Sequence, residues 1–506
     1  MQKPLISKSG RERQPQRGVT ILLVALAMVA IISMAALSID VITLYLAKEE
    51  AQRSANEAAL AAARILSLSG ITGDPSNTSG NWNMICGPDD GTHGLAGRAA
   101  KAVVNQNPIG NTAATTVTVT YAAGTNGTMG SGTSDCTTLS ASAFGINPLV
   151  NVQVTRASVP SFFSRIWGNQ GQPVSASATA EAFNPSGTFS GGNQTAGGTI
   201  IPVKPWCVKP WVVPNRDPLN PPAGGGGGGF CTGTNCLPFV DPANGQIMHK
   251  GISLEGSSAN GVIGETFSLS ADCRLNGAGC VLRGPGAGVQ PLANFTGSSN
   301  VSPRPNLLYV PNLVSTSPAA VPTCSTGNPY NEAIVGCDQP TNYSCGVQDA
   351  NTVDLTLNPA TDTTDGVQCL INQSNNNDLS QSTGQDYLKY DTQFGNPSVY
   401  PFQVLAGSSN PLVSTGVVAG TPISSSASIV SLPIYDDTLV TTLQSNTQHS
   451  VTFVGFLQVF INAVDNKGNV KVTVLNVAGC SNGNGVTVGS PVGGTSPVPI
   501  RLVTPP

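Results

Sequence analysis

Cysteine is the residue type with the most evident chemistry in this 506-residue chain, which contains 12 cysteines but only 3 histidines. Zinc sites usually need tight C-x-x-C pairs or cysteine close to histidine, whereas His93, His249 and His449 are scattered. We therefore expect disulfides, with open connectivity, in an oxidising compartment. Eight cysteines at loop-like spacings are the candidates: Cys231, Cys236, Cys273, Cys280, Cys324, Cys337, Cys345 and Cys369.

Catalytic motifs are missing from the sequence, which has no H-E-x-x-H, no G-x-S-x-G, no P-loop and no G-x-G-x-x-G after a strand. Asp436 and Asp437 are adjacent, so in a strand they would point to opposite faces. We predict a solvated turn for them. The sequence thus predicts no catalytic residue, no metal ligand and no cofactor, and a hydrolase with acids from distant segments is a minor alternative.

The charge distribution separates the N-terminus from the rest of the chain. The first 18 residues contain five basic side chains and one acid. Removing them from the totals of 23 basic and 27 acidic residues leaves 18 basic and 26 acidic. Because phosphate recognition needs clustered Lys and Arg, we predict no nucleic-acid partner.

A membrane-spanning helix is predicted at Val19–Ile39, a run without charged residues. At about 1.5 Å per residue it reaches roughly 30 Å, the thickness of the hydrocarbon layer. Basic residues precede it and acids follow, which predicts a cytoplasmic N-terminus and an extracytoplasmic body. A cleaved signal peptide is the alternative, with small residues at Ser33, Ala35 and Ala36.

The next segment, from Asp40 to about Leu68, has helical periodicity and predicts one long helix that continues the span and ends near Gly70. One stripe of this helix consists mostly of alanine and includes Ala47, Ala51, Ala55, Ala58 and Ala62. Small side chains permit close approach of another element. The stripe packs either on the domain that follows it or on a partner protein.

This N-terminal pattern resembles that of TadE/TadG-like Flp pilus-assembly proteins, which runs R-G, apolar span, D, then Q-x-A-A-D-A-A-A-L-A-A-A. The positions that correspond to this motif are Arg17, Gly18, Asp40, Gln52, Asn56 and Leu60. Asn56 departs from the family, which usually has aspartate there. The resemblance implies a place in tight-adherence pilus machinery and no chemical activity.

Residues 150–182 are similar to the same family in their order of strand, short apolar helix with Phe162, Phe163 and Trp167, and second strand. Many TadG proteins also contain a von Willebrand factor A domain, whose metal motif is D-x-S-x-S. Asp378–Ser382 has those letters but follows a polar stretch instead of a buried strand. We interpret it as a polar loop, with the domain absent.

The remaining sequence consists of short Val/Ile/Thr/Phe runs between turn residues, which predicts a β-rich body. A hairpin is predicted from residues 450–464 and 469–477, with further strands at 427–434 and 498–503. Residues 292–404 are expected to contain disulfide-closed loops. The Gly/Pro-rich residues 184–229 are predicted to be a linker in which Trp206 and Trp211 either bind sugars or pack on a neighbouring domain.

Together these patterns predict a fold of an N-terminal transmembrane helix that continues into a long α-helix, followed by a mainly β extracytoplasmic region. The predicted units are a tail (1–18), the span (19–39), a helix with a small α+β domain (40–183), the linker (184–229) and a sandwich-like all-β domain (230–506). The function expected from the resemblance is a structural or assembly component of a Flp/Tad-type pilus in the bacterial inner membrane, with its body periplasmic or at the cell surface. Its partners would be the membrane and other envelope proteins, in an oligomeric state that the sequence leaves open. A glycan- or matrix-binding adhesin is the alternative.

Overall fold

The computed structural model describes the chain in segments. They are residues 17–72, 82–91, 93–125, 128–129, 132–140, 144–145, 148–161, 163, 165, 168, 171–182, 203–205, 207–220, 236–243, 245, 247–249, 261–271, 290–291, 305–314, 321–325, 327–337, 343, 346–354, 359–373, 379, 384–390, 402–423, 425–439, 442–443, 448–480, 492–494 and 498–503.

The described residues form helices and strands in an α+β arrangement. The helices are α1 (Arg17–Leu68), α2 (Trp82–Cys86), α3 (Leu95–Gln106), α4 (Pro329–Val335) and α5 (Pro359–Ile371). The strands are β1 (Thr116–Thr125), β2 (Thr128–Met129), β3 (Pro148–Val159), β4 (Gln172–Ala182), β5 (Val203–Pro205), β6 (Trp211–Pro214), β7 (Thr266–Ala271), β8 (Gln290–Pro291), β9 (Asn306–Pro311), β10 (Gly346–Asp354), β11 (Tyr387–Tyr390), β12 (Phe402–Leu405), β13 (Ile429–Tyr435), β14 (Thr442–Leu443), β15 (Gln448–Val464), β16 (Val470–Gly479), β17 (Val492–Gly494) and β18 (Ile500–Val503).

Helix α1 confirms the predicted continuous helix. It has 52 residues and is therefore about 78 Å long. Its end is set by glycine, because Gly70 adopts a left-handed conformation (φ 73°) two residues after the last helical residue, Leu68.

The first sheet has five strands in the order β18-β4-β3-β1-β2, and all of its pairings are antiparallel. Strands β3 and β4 correspond to the two strands predicted within residues 150–182. The outer strand β18 comes from the C-terminal end of the described chain and aligns Ile500 with Ala182. Helices α1 and α3 share a hydrophobic core with this sheet.

The second sheet closes on itself. Strands β15, β13, β6, β9, β7 and β16 form a ring, since β16 also pairs with β15, and β10 is added at the outer side of β15. Two of the pairings, β6 with β13 and β7 with β9, are parallel. The predicted mainly β region is thus confirmed, and its centre is a six-stranded barrel where a sandwich-like arrangement was expected.

The hairpin β15–β16 joins two sides of this barrel at the predicted turn. The carboxylate of Asp465 accepts hydrogen bonds from the main-chain nitrogens of Lys467 and Asn469, both at 2.9 Å, and Gly468 takes the left-handed conformation. Nearly every described side chain of both strands is buried, because the barrel interior covers one face and other segments cover the outside.

The structure differs from the predicted domain division in two places. Within the predicted linker, Trp211–Pro214 forms β6, all four of whose residues are buried in the barrel. At the other end, β18 leaves the predicted 230–506 unit and pairs with β4. The barrel is therefore inserted between two adjacent strands of the first sheet, a long-range pairing that local composition does not reveal.

The prediction that the protein contains disulfides is confirmed. Cys86 is bonded to Cys136, Cys207 to Cys337, and Cys324 to Cys369. Cys236 and Cys480 are also disulfide-bonded. Of these residues, Cys86, Cys136, Cys207 and Cys480 were not among the eight candidates. Cys231, Cys273, Cys280 and Cys345 lie outside the described residues.

Candidate functional site

The N-terminal part of α1 presents an apolar surface that nothing in the described structure covers. From Val19 to Leu46 its large apolar side chains are exposed, with Ile21 at 71% and Leu37 at 64%, except Leu44, which is half-buried against the domain core. Among the described residues this is the one helix long and apolar enough to cross a membrane. Its 28 residues extend about 42 Å, which matches a bilayer including its interfacial regions and goes beyond the predicted end at Ile39.

The C-terminal part of α1 is, by contrast, the centre of the first domain, which consists of this part of the helix, α2, α3 and the five-stranded sheet. Its alanines pack against the sheet and α3, and each is at most 2% exposed: Ala47, Ala51, Ala55, Ala58, Ala59, Ala62 and Ala63. The alanine stripe thus packs on the protein's own domain, the first of the two expected alternatives. A single rigid helix therefore carries both the exposed apolar surface and a domain core.

Polar contacts fix this domain to α1 from Asp40 onward, where the opposite side of the helix is still exposed and apolar. The buried carboxylate of Asp40 accepts hydrogen bonds from the main-chain nitrogen of Phe163 at 3.2 and 3.3 Å. About two helical turns further along α1, Lys48 donates a hydrogen bond to the carbonyl of Ser175. Gln52 donates to the carbonyl of Ser177 at 2.9 Å. These contacts hold β4 and the β3–β4 connection against α1.

The C-terminal end of α1 contacts the barrel. Asn476 of β16 donates a hydrogen bond to the carbonyl of Ser67 at 2.7 Å, and the hydroxyl of Ser67 donates to the carbonyl of Val498 at 2.8 Å. A Cβ atom on Gly70 would lie 2.5 Å from the side chain of Ile263, so the backbone approaches the barrel closely there. The helix end is thereby linked to both β16 and the segment before β18.

A comparison with known protein families matches the same helix. Residues 18–64 match the TadE/G-like Flp pilus-assembly family. The match covers the exposed apolar segment and most of the alanine-rich segment, but none of the sheet or the barrel. No characterised protein and no solved structure matches the chain in the corresponding searches.

The residues that resemble the TadE/G-like motif take structural places along α1. Arg17 and Gly18 are in its first turn, and Asp40 binds the β3–β4 connection. Gln52 also donates to the side-chain oxygen of Asn56 at 3.0 Å, and the half-buried Leu60 packs on the domain core. Asn56, at the position where the family usually has aspartate, thus acts as a hydrogen-bond acceptor for Gln52.

A buried cluster of ionisable groups was not predicted from the sequence. It lies in the second domain, which consists of the six-stranded barrel and the segments attached to it. His249 Nδ1 lies 3.1 Å from Asp217 Oδ2 and 3.4 Å from Glu265 Oε1. Burial lowers the pKa of His249, but its hydrogen bonds to Asp217 and Glu265 outweigh that effect and raise the pKa to about 10. Burial and the nearby charge of Asp217 raise the pKa of Glu265 well above its ordinary value. The three residues lie in separate segments, so no local motif signals their meeting.

The adjacent acids Asp436 and Asp437 form a buried turn, and the prediction of a solvated turn is wrong. Asp436 accepts a hydrogen bond from the main-chain nitrogen of Thr438 at 2.9 Å. Asp437 pairs with Arg216 Nε at 2.8 Å, and its side chain is 5% exposed. Burial raises the pKa of Asp437, although Arg216 opposes the shift. The pair holds the end of β13 against the segment after β6.

Of the two alternatives for the linker tryptophans, sugar binding or packing on a neighbouring domain, the structure shows packing for Trp211. Trp211 has no exposed surface and packs against Tyr309 in the barrel, with a ring-centroid separation of 6.0 Å. Trp206 lies outside the described residues, as do Phe162 and Trp167. The D-x-S-x-S residues also lie outside them, except for Leu379.

Proposed function

We propose that this protein is a membrane-anchored structural component of a Flp/Tad-type pilus or a related cell-envelope apparatus, acting through contacts with other proteins. One observation supports this proposal above all others. Helix α1 is exposed and apolar over the length of a bilayer and then becomes the core of a folded domain without a break. Such a helix holds the domain at a fixed distance from the membrane, as a scaffold requires.

The proposed location is the bacterial inner membrane, with the N-terminus in the cytoplasm and the two folded domains outside it. Basic residues at the N-terminus support this orientation, because cytoplasmic flanks are enriched in Lys and Arg. The disulfides support an oxidising compartment for both domains, since Cys86–Cys136 lies in the first and Cys207–Cys337 joins the segment before β6 to the segment after α4.

Deletion of the gene tests the function. We expect loss of assembled pili on the cell surface, and recovery when the wild-type chain is supplied. A variant with Leu26→Arg and Ile31→Arg should restore neither membrane association nor pili, because each arginine costs about 2.5–3.5 kcal/mol at the centre of a span. Normal piliation of the deletion strain would overturn the proposal.

Matched substitutions provide the control for this variant. Val418 and Leu439 are apolar side chains of the second domain with exposures of 68% and 65%. Arginine at both positions adds the same charge outside the proposed span, so membrane association and pili should be retained. Loss of pili in this control would show that the added charge itself, and not the anchor, is responsible.

The orientation has its own test in intact cells. A membrane-impermeant thiol reagent should label the protein only after a reductant has opened its disulfides. Labelling that requires cell lysis but no reductant would place the domains in the cytoplasm and would contradict the proposed topology.

A further inference from the structure

We propose that Asp217, His249 and Glu265 bind a divalent transition-metal ion, zinc by preference, in the second domain. The site is independent of pilus assembly. Asp217 follows β6, His249 lies in the connection between β6 and β7, and Glu265 directly precedes β7. A bound ion would therefore connect three parts of the chain that are distant in sequence.

The spacing of the ligand atoms fits tetrahedral coordination. Bonds from zinc to nitrogen or oxygen of about 2.0–2.2 Å place two ligands of a tetrahedron roughly 3.3–3.6 Å apart. His249 Nδ1 lies 3.1 Å from Asp217 Oδ2 and 3.4 Å from Glu265 Oε1, and no two of the three ligand atoms are more than 4.8 Å apart. The two separations from His249 Nδ1 are thus within a few tenths of an ångström of the tetrahedral values.

The ligand set also matches the chemistry of the ion. Imidazole nitrogen and carboxylate oxygen are ordinary zinc ligands, whereas calcium requires six to eight oxygen ligands. Three protein ligands leave one position of a tetrahedron for water. The cluster contains no cysteine, so the site is compatible with an oxidising compartment in which the described cysteines are paired.

Charge balance favours a cation at this position. The side chains of Asp217 and Glu265 are 0% and 3% exposed, so both carboxylates have lost their hydration. A protonated His249 compensates only one of two ionised carboxylates, and burial of the remaining charge is costly. A divalent ion with neutral histidine compensates both.

The competing arrangement is a protonated Glu265 beside an Asp217–His249 ion pair, which is also neutral overall. A proton on Glu265 would be shared with the carboxylate of Asp217, which lies close enough for a side-chain hydrogen bond. Glu265 Oε2 is buried and accepts no hydrogen bond from the described residues, so one oxygen stays unsatisfied in this arrangement. A metal ion removes that deficit, since it can bind the carboxylate directly.

Main-chain contacts hold the ligands in place. Asp217 Oδ1 accepts a hydrogen bond from the nitrogen of Leu219 at 3.0 Å, which leaves Oδ2 directed to His249. The carbonyl of His249 accepts a hydrogen bond from the main-chain nitrogen of Val262 at 3.1 Å. The main-chain nitrogen of Glu265 donates to the carbonyl of Val262 at 3.3 Å. Val262 therefore fixes the two ligands relative to each other before any ion binds.

The test uses the full-length protein purified in detergent, stripped with a chelator and then titrated with zinc. We expect one zinc ion per chain by elemental analysis and a rise in the thermal midpoint on zinc addition. His249→Ala and Glu265→Gln should each weaken zinc affinity by more than the roughly 10- to 100-fold that loss of an outer-shell partner costs. His93→Ala is the matched control, because His93 also pairs with an aspartate, Asp90, but in an exposed pair.

Cobalt substitution keeps the test independent of variant folding. Wild-type protein loaded with Co²⁺ should show the intense visible absorption of a four- or five-coordinate ion. Absence of zinc binding and of this absorption in the wild type would overturn the proposal. The proposal would also be overturned if folded Glu265→Gln protein retained zinc with unchanged stability. That result would favour the competing arrangement with a protonated Glu265.

Discussion

Asn476 of β16 donates a 2.7 Å hydrogen bond to the carbonyl of Ser67 in the last turn of α1, and neither residue has exposed surface. The last four carbonyls of a helix lack partners within the helix, so this bond satisfies one of them with a barrel side chain. Helix α1 and the barrel are consequently coupled through a buried contact.

Asn476→Ala should weaken this coupling. The substitution leaves a buried carbonyl without its donor, and we expect the free energy of unfolding to fall by about 1–3 kcal/mol. Amide hydrogen exchange should rise at Leu66–Ser69. Asn462→Ala is the matched control, because its side chain donates to the hydroxyl of Thr473 within the same hairpin, at 2.8 Å. Equal exchange at residues 66–69 in both variants would argue against the coupling.

The parts of the fold that the sequence predicts are those encoded by local patterns. Helix α1 follows from an apolar run and an alanine stripe, and the hairpin β15–β16 follows from two β-rich runs around Asp465–Gly468. In each case neighbours in sequence are neighbours in space. The same reasoning predicted disulfides as a class but left their pairing open.

The other features depend on contacts between distant segments. Strand β18 pairs with β4 across more than 300 residues, and two barrel pairings are parallel, so no turn signal marks them. The Asp217–His249–Glu265 cluster has no common motif for the same reason. Trp211 was assigned to a linker because Pro and Gly surround it, although the four residues from Trp211 form a fully buried strand.

Asp40→Ala should loosen the connection between β3 and β4. The carboxylate of Asp40 accepts from the nitrogen of Phe163, and hydrogen bonds to a charged group contribute about 1.5–3 kcal/mol. We expect lower thermal stability and faster proteolysis near residue 163. Glu49→Ala removes an exposed charge from the same helix and serves as the control. Unchanged proteolysis in Asp40→Ala would contradict this role.

Trp211→Ala should destabilise the barrel by about 3–5 kcal/mol, because it removes a large, fully buried side chain. Chemical denaturation followed by circular dichroism measures this loss. Trp211→Phe keeps most of the packing and should cost much less. Trp211→Phe protein could instead keep wild-type stability and lose binding on a glycan array. That result would contradict a purely structural role for Trp211 and would support sugar binding.

Alkaline pH should destabilise the second domain through Tyr309. Burial raises the pKa of Tyr309 to about 12, against the opposing effect of hydrogen bonds to Thr363 and Tyr330. An unfolded tyrosine has a pKa of about 10. Above that pH the unfolded chain releases the proton while the folded chain retains it. The free energy of unfolding should therefore fall by about 1.4 kcal/mol per pH unit between about pH 10 and pH 12.

Denaturation midpoints at about pH 9 and pH 11, on either side of the ordinary tyrosine pKa, measure this effect. Tyr330 shares Thr363 as a hydrogen-bond partner, and burial raises its pKa too, so the two tyrosines are replaced together. Tyr309→Phe with Tyr330→Phe should remove most of the loss between the two pH values, even if it lowers stability at both. Tyr45→Phe, at an exposed position of α1, should keep the wild-type difference. An undiminished loss in the double variant would show that other groups govern alkaline unfolding, since phenylalanine has no proton to release.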